Sequence, residues 1–347
     1  MYDVITIGTA TRDAFVRLGT IPNGRYHRVV RNKRFETGAA ECFSFGSKIA
    51  VPDIVFTTGG GATNAAVTFS RQEQKAACFS IVGSDVSGET VMRELQRERV
   101  DFLFKIDPHA DHKTAYSIVL LSSSGERTIL VYRGASEDLQ SAAIPWVKLK
   151  ARWFYLAPLG GAARGACIRA LVHAYAAGMQ VAVNPSLGMI GDGLAAAARL
   201  FRGVRVFVVN EEEASALVRA RGEKPEKLLA ALVRALKCLV VITRGPRGVL
   251  VGDGARIYRA GVFRERAVVD RTGAGDAFGS GFVSALVRTK RMGGFSPADI
   301  VQAIRLGSAN GTSVVEHIGA KEGILTRAGF LRARRFRDFS VVVKEAA

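Results

Sequence analysis

Short, continuously apolar segments alternate with segments of helical periodicity through most of the chain. The apolar segments predict strands at 4–8, 76–82, 153–157, 180–184, 204–210 and 239–243. Between and after them, apolar residues three to four positions apart predict helices at 62–71, 88–98, 163–177, 211–219, 225–236, 297–316 and 327–335. Strands without polar alternation are typical of a parallel sheet covered by helices on both faces. The pattern therefore predicts a doubly wound α/β fold with a mostly parallel sheet.

Two segments interrupt this alternation, at 14–58 and at roughly 102–135, and both are rich in strand and turn signals. Within the second, 114–121 and 127–132 flank the run Ser-Ser-Ser-Gly, which is typical of a hairpin. We predict that the two segments form a small sheet outside the main one. No linker separates the parts of the chain, so we expect one domain over 1–347.

Composition narrows the class of protein. The 347 residues contain no apolar run of about 18, so no membrane span is expected. The N-terminus reads as a first strand and lacks the features of a signal peptide, so a cytoplasmic protein is expected. Four widely spaced cysteines predict neither a disulfide framework nor a zinc site.

The formal net charge of +18 is unusually high. Such a charge fits nucleic-acid binding, an anionic substrate or a basic surface without a specific partner. Basic residues are spread along the chain and do not interleave with aromatic ones as in a single-strand binding platform. A small molecule is therefore the expected partner, and nucleic acid is not.

The most informative run is 270–281, Asp-Arg-Thr-Gly-Ala-Gly-Asp-Ala-Phe-Gly-Ser-Gly. A short strand is predicted before it at 267–269, and apolar spacing from Phe278 onward predicts a helix after it. Gly273, Ala274 and Gly275 leave the backbone open to a ligand, and a helix N-terminus attracts an anion. Asp276 in the first turn is then placed to remove a proton from a hydroxyl group beside a bound phosphoryl group.

A second glycine-rich turn, 59–61, leads into the helix that carries Asn64. Glycine permits close approach of the backbone, and an Asn side chain both donates and accepts hydrogen bonds, as sugar hydroxyls require. Asp13 follows the first strand, and the strand ends of an α/β sheet collect ligands. Asn210 with Glu213 is the pattern of a helix N-cap.

These motifs together resemble the two signatures of the ribokinase-like (PfkB) family of carbohydrate and nucleoside kinases. The resemblance extends from Gly8 to about Ala320, with the motifs in the family's order. It implies an ATP-dependent kinase in which the small sheet is a lid over the acceptor and often a homodimer contact. Asp276 would be the general base, and the backbone of 273–276 would bind the transferring phosphoryl group.

The resemblance also assigns the remaining site residues. The acceptor would meet Asp13, Gly59, Gly60 and Asn64, with Arg133 turned towards substrate or phosphate, or else merely on the lid surface. ATP would contact Asn210, Thr243, Gly245, Gly248, Gly273, Gly275 and Ser308, and Arg244 and Arg247 would add positive charge. Glu213 would hold Mg²⁺ through water, as an alternative or an addition to its cap. Asp270, Thr272 and Gly319 would line a K⁺ site.

The acceptor itself is left open. Arg12 and the run 157–161 depart from the pattern of ribokinase, which argues against unphosphorylated ribose. A sugar or sugar-derivative kinase is expected, and a nucleoside kinase is the alternative because Phe43, Phe45 and Tyr116 of the lid are able to stack on a base. A non-catalytic binding protein on the same fold would have no need of Asp276.

Overall fold

The computed structural model describes residues 1–18, 27–35, 38–103, 112–122, 127–140, 144, 146–160 and 164–346. In chain order the strands are β1 (Tyr2–Ile7), β2 (Thr11–Arg17), β3 (His27–Arg31), β4 (Ala39–Phe43), β5 (Asp53–Gly59), β6 (Ala76–Phe79), β7 (Asp101–Phe102), β8 (Ala115–Leu121), β9 (Arg127–Tyr132), β10 (Ala151–Leu156), β11 (Gln180–Val183), β12 (Val206–Asn210), β13 (Leu239–Thr243), β14 (Val249–Gly252), β15 (Arg256–Ala260) and β16 (Val341–Glu345). The helices are α1 (Gly61–Arg71), α2 (Val86–Arg97), α3 (Arg164–Ala176), α4 (Leu187–Ile190), α5 (Leu194–Leu200), α6 (Glu211–Val218), α7 (Pro225–Leu236), α8 (Ala274–Thr289), α9 (Pro297–Val315) and α10 (Arg327–Arg332).

The main sheet has the strand order β16-β15-β14-β13-β12-β11-β10-β1-β6-β7. Strands β7 to β13 of this order run parallel, and β14, β15 and β16 are added antiparallel at one edge. From β1 the chain continues to β6 on one side and later to β10 on the other. This reversal of strand order opens a crevice at the carboxyl ends of β1 and β10, where α/β folds bind ligands.

Helices cover both faces of the main sheet, as predicted. One core cluster includes apolar residues of α3, α5, α6 and α7, and the other includes those of α1, α2, α8 and α9. Successive residues of a strand point to opposite faces, so β1 supplies Val4 to one cluster and Ile5 to the other. Helices α1 and α8 thus lie on the same side, and both begin near the crevice.

The predicted small sheet is present as β5-β2-β8-β9 and is called the lid sheet below. It combines strands from both interrupting segments: β2 pairs antiparallel with β5 and parallel with β8, and β8 forms a hairpin with β9. Part of the hairpin loop lies outside the described residues. Strands β3 and β4 form a separate antiparallel pair.

The sequence prediction differs from the structure at several places. Residues 267–269 are not a strand: Val268 and Val269 are exposed, and the amide of Val269 donates to the carbonyl of Val315 at 2.8 Å. Short helices α4 and α5 and the edge strand β16 were not predicted. The last helix ends at Arg332, before a 3₁₀ turn at Arg334–Phe336. Among the described residues, no helix is long and apolar enough to cross a membrane.

Candidate active site

The start of α8 has the geometry expected of an anion site. Gly273 caps the helix with φ of 76°, in the left-handed region that favours glycine. A methyl group on Gly273 would lie 2.3 Å from Cβ of Ala320, so the loop after α9 also requires glycine here. A methyl group on Gly275, in contrast, would meet nothing within 4 Å. The backbone of this turn therefore packs against Ala320 at Gly273 and is open to a ligand at Gly275.

Asp276 lies in the first turn of α8 and is joined to the other glycine-rich turn. Nδ2 of Asn64 donates a hydrogen bond to Oδ2 of Asp276 at 2.9 Å. A methyl group on Gly61 would lie 3.5 Å from Oδ1 of the same carboxylate. The two signatures of the sequence thus meet at one carboxylate, although 212 positions separate Asn64 from Asp276.

The electrostatic surroundings of Asp276 are suited to a base. Burial raises the pKa of Asp276 above the ordinary aspartate value, while the bond from Asn64 and the charge of Lys321 lower it. Oδ1 of Asn64 is buried and has no partner among the described residues. This oxygen is available to accept a hydrogen bond from an acceptor hydroxyl beside the carboxylate.

Asp13, together with Gly59 and Gly60, forms the neighbouring part of the site. Asp13 lies within β2 of the lid sheet, not at the end of β1 as the sequence suggested, and it is 5% exposed. Oγ1 of Thr11 donates to its Oδ1 at 3.0 Å, and burial raises the pKa of the carboxyl group. A methyl group on Gly59 would lie 2.0 Å from Oδ2 of Asp13. Gly60 has φ of 97°, and a methyl group there would lie 2.4 Å from the carbonyl oxygen of Thr9.

A cavity of about 560 Å³ lies on the other side of the α8 start. Its lining includes most of the residues predicted to contact ATP, namely Asn210, Thr243, Gly245, Gly248, Gly275 and Ser308, together with Ala274, but not Gly273. Oγ of Ser308 is buried without a partner among the described residues, so it is free to bond to a ligand. The lining also includes Arg271, which is exposed beside the anion site.

The Asn210–Glu213 pair forms a capping box at the start of α6. The amide of Glu213 donates to Oδ1 of Asn210 at 2.7 Å, and the amide of Asn210 donates to Oε2 of Glu213 at 2.8 Å. Burial raises the pKa of the Glu213 carboxyl group. Glu213 does not line the cavity, whereas its neighbours Glu211 and Glu212 do.

Glu211 is a site residue that the sequence reasoning missed. Its Oε2 lies 3.0 Å from Nε of Arg244 and 3.0 Å from Nη2 of Arg247. Both arginines predicted to add charge to the nucleotide loop are therefore partly neutralised in this structure. The pairing holds the loop after β13 against the start of α6. In the sequence, the only signal for Glu211 was its place in the acidic run Asn-Glu-Glu-Glu.

Asp270 ties together the two walls of the predicted monovalent-cation site. Its Oδ1 accepts hydrogen bonds from the amide of Thr272 at 2.9 Å and from the hydroxyl of Thr272 at 2.7 Å. Its Oδ2 accepts from the amide of Gly319 at 3.2 Å. Arg133, by contrast, is exposed where the chain leaves β9 and lines neither of the two cavities described. Its role stays a prediction.

Lys321 is the second residue that sequence reasoning missed. It is 4% exposed, and its charge lowers the pKa of both Asp13 and Asp276. Burial in turn lowers the pKa of the lysine. A lysine in the polar run Lys-Glu-Gly is typical of an exposed loop, and nothing in the sequence indicates that it is buried.

The geometry brings together the start of α8 with Asp276, a cavity of about 560 Å³ and the buried carboxylate of Asp13. A family model described as pfkB family carbohydrate kinase matches residues 34–327. Ribokinase of Haemophilus influenzae is 28% identical over 278 residues, covering 78% of this chain and 84% of that protein. Aminoimidazole riboside kinase of Salmonella typhimurium is 29% identical over 275 residues, covering 76% and 83%.

Solved structures agree with the sequence matches. The structure of adenosine kinase from Sinorhizobium meliloti superposes with a TM-score of 0.74 at 26% identity, covering 95% of this chain and 98% of that one. The chain belongs to the PfkB family of carbohydrate kinases, which are phosphotransferases with an alcohol group as acceptor. Its fold is the ribokinase-like α/β fold with a lid sheet, as the sequence predicted.

Proposed function

We propose that this protein transfers the γ-phosphoryl group of ATP to a hydroxyl group of a sugar or sugar derivative, with Asp276 as the general base. The observation that carries the proposal is the Asn64–Asp276 hydrogen bond at the start of α8. Asp276 directly follows Gly275 of the cavity lining, and Asn64 lies on α1 shortly after Gly59, which lies against the buried Asp13.

The residues present support a simple sequence of steps. Asp13, Asn64 and the backbone at Gly59 and Gly60 orient the acceptor hydroxyl. Asp276 takes the hydroxyl proton as the oxygen attacks the γ-phosphorus, and the bond to the β-phosphate oxygen breaks to release ADP. Backbone amides of 273–276 stabilise the charge on the transferring group. Burial of Asp276 favours this role because it raises the proton affinity of the carboxylate.

The proposal includes metal ions that would accompany the phosphates of ATP. Mg²⁺ prefers to keep waters and to bind through phosphates, where it neutralises charge. One oxygen of Glu213 is engaged by the cap, which leaves its other oxygen for a water of such an ion. Asp270, Thr272 and Gly319 would face K⁺ if the protein uses it, since their hydrogen bonds already bring both walls together.

A sugar acceptor is favoured by the relatives, which include a ribokinase of Haemophilus influenzae and a fructokinase of Salmonella typhimurium. A nucleoside acceptor is the second candidate because the aligned structure from Sinorhizobium meliloti is an adenosine kinase. Two of the aromatic residues considered for base stacking, Phe43 and Phe45, are 41% and 107% exposed in this structure. Stacking on a base would require these side chains to become covered.

Replacing the base tests the proposal. We expect Asp276→Asn to retain ATP binding and to lower turnover by about 10²-fold or more, since general-base catalysis contributes at least that much. The measurement is ADP release with ATP and a panel of sugars, sugar phosphates and nucleosides, together with calorimetric ATP binding.

Asp299→Asn is the matched control. Asp299 also lies in the first turn of a helix, α9, where its carboxylate bonds to Ser296 in a capping box. Its replacement should leave turnover within about twofold. Near-normal turnover in Asp276→Asn, or an equal loss in both variants, would contradict the role of Asp276.

A further inference from the structure

The ammonium group of Lys321 is bonded to two other elements of the fold. Its Nζ donates to Oγ1 of Thr58 in β5 at 2.5 Å and lies 3.6 Å from Oε1 of Glu94 in α2. The hydroxyl of Thr58 in turn donates to Oε2 of Glu94 at 2.5 Å. A buried ammonium is costly unless it is paired and hydrogen-bonded, and these contacts meet that requirement.

Thr58 is the residue through which this network reaches the acceptor side. It directly precedes Gly59, whose backbone lies against the carboxylate of Asp13. In the pairing of β2 with β5, Thr57 stands opposite Asp13 and Thr58 stands opposite Arg12. A shift of Thr58 would therefore move the strand that shapes the space around Asp13.

The loop that carries Lys321 reaches the anion site as well. Gly319 donates its amide to Asp270, and Ala320 packs against Gly273 at the cap of α8. A methyl group on Gly319 would lie 2.9 Å from Cγ2 of Thr57, so this loop also packs directly on β5. The three residues 319–321 thus touch both halves of the proposed site.

We infer that Lys321 is a positioning residue. It holds strand β5 of the lid sheet, which borders the proposed acceptor site, against the loop 319–321 that packs on the start of α8. The inference rests on the proposed function of these two halves. The charged groups around the ammonium are Glu94 of α2, Asp13 and Arg12 of β2, Asp276 of α8 and the ion pair Arg71–Glu98, with the thiol of Cys78 on β6. Four of them, with Lys321, line a polar cavity of about 380 Å³ behind the lid sheet: Arg12, Arg71, Glu94 and Glu98.

The test compares acceptor and ATP kinetics in two variants. Lys321→Met with Glu94→Gln removes both charges together, so that neither is left buried and unpaired. Thr58→Val keeps the shape and strand propensity of the residue but removes the hydroxyl that joins them. The probes are D-ribose, D-fructose and adenosine, each with ATP.

We expect the double variant to raise KM for the acceptor about tenfold or more, the range for a lost hydrogen bond to a charged group, with KM for ATP within about twofold. Thr58→Val should act in the same direction but less strongly. Arg152→Met is the matched control, because it breaks the partly buried ion pair with Asp3 near the amino ends of β1 and β10, away from the crevice at their carboxyl ends. It should lower stability without changing KM for the acceptor. An unchanged acceptor KM in the double variant, or an equal rise for ATP, would overturn the inference.

Amide hydrogen exchange separates this inference from the proposed function. In the double variant we expect faster exchange in both 53–59 and 270–276, with no change in the strand 239–243. Faster exchange in only one of the two segments would overturn the coupling. This measurement tests the coupling of 53–59 to 270–276 even if none of the three probes supports ADP release. The absence of ADP release would count against the proposed function alone.

Discussion

Single side chains acquire their roles in this protein through neighbours that are distant in sequence. Asp276 is bonded to Asn64 from α1 and is within the electrostatic influence of Lys321 from the loop after α9. The position of the Asp13 carboxylate requires glycine at residue 59, since any Cβ there would collide with the carboxylate. The chemistry of each carboxylate is therefore set by burial and by partners, not by residue type.

The first prediction at this scale concerns pH. Asp276 must be ionised to accept a proton, and burial raises its pKa. As the pH falls through that pKa the base becomes protonated, so kcat/KM should fall with a midpoint above the ordinary aspartate value of about 3.9. The measurement is kcat/KM against pH at saturating ATP.

The Asn64→Leu variant provides the comparison for this profile. Replacing Asn64 removes the hydrogen bond that favours the ionised form of Asp276, so the midpoint of the pH profile should move further upward. A midpoint at or below the ordinary value in the native protein, or a downward shift in Asn64→Leu, would contradict the assignment of the acid limb to Asp276.

At the scale of elements, helix starts hold most of the site. Helices α1, α6 and α8 all begin on the side of the sheet where the parallel strands end, and α1 and α8 both begin after a glycine with positive φ and without a side-chain cap from the described part of the chain. Asn210 closes α6 with a side-chain cap, whereas no side chain caps α8 at Gly273 among the described residues. We propose the α8 start as the anion site because, unlike the α6 start, it is not occupied by a side-chain cap from any residue that the structure describes.

Two glycines of the α8 start make opposite predictions. Gly273→Ala places a Cβ against Ala320 and in the left-handed region, which costs about 1–2 kcal/mol of stability from the backbone alone. Displacement of the anion hole should also lower turnover, roughly 10²-fold. The free energy of unfolding in urea and the rate of ADP release are the two measurements.

Gly275→Ala is the matched variant, because a methyl group there meets no protein atom within 4 Å. Its stability should equal or exceed that of the native protein, since alanine is favoured over glycine in a helix. Any loss should appear in KM for ATP, because Gly275 lines the cavity. Equal destabilisation by both changes would show that the packing against Ala320 is unimportant.

At the scale of the whole molecule, the lid sheet leaves an apolar edge uncovered. Strand β9 pairs only with β8 in the described part of the sheet, and all six of its residues are exposed. Ile129, Leu130, Val131 and Tyr132 are between 40% and 54% exposed. An unpaired apolar edge strand is able to pair with another chain, and a second copy of this protein offers the matching edge.

We therefore propose a homodimer formed through β9, and predict that Leu130→Lys shifts it towards monomer. A buried lysine opposes association, while the same change on an exposed strand of a monomer should leave the fold intact. Sedimentation velocity at several protein concentrations gives the mass. Leu331→Lys is the control, because Leu331 is 56% exposed in α10 and far from the lid in the sequence. A native protein that sediments as a monomer would refute the proposal.

The family resemblance of the two glycine-rich signatures implied that they share one site, and the sequence by itself determined the main sheet, the helices on its two faces and the small sheet. Periodicity carries this information because strands and helices bury their apolar faces in characteristic ways. The three residues 267–269 failed as a strand because so short an apolar run does not show which partner, if any, is available.

Only the tertiary structure decided which polar groups are buried and paired. Lys321 and Glu211 have no distinctive local pattern, and their roles arise from contacts with Thr58, Glu94, Arg244 and Arg247, all remote in sequence. Burial changes the cost of a charge and the strength of its interactions, and burial depends on how the elements pack. The sequence thus indicated where phosphoryl transfer would occur, and the fold determined the charges that surround it.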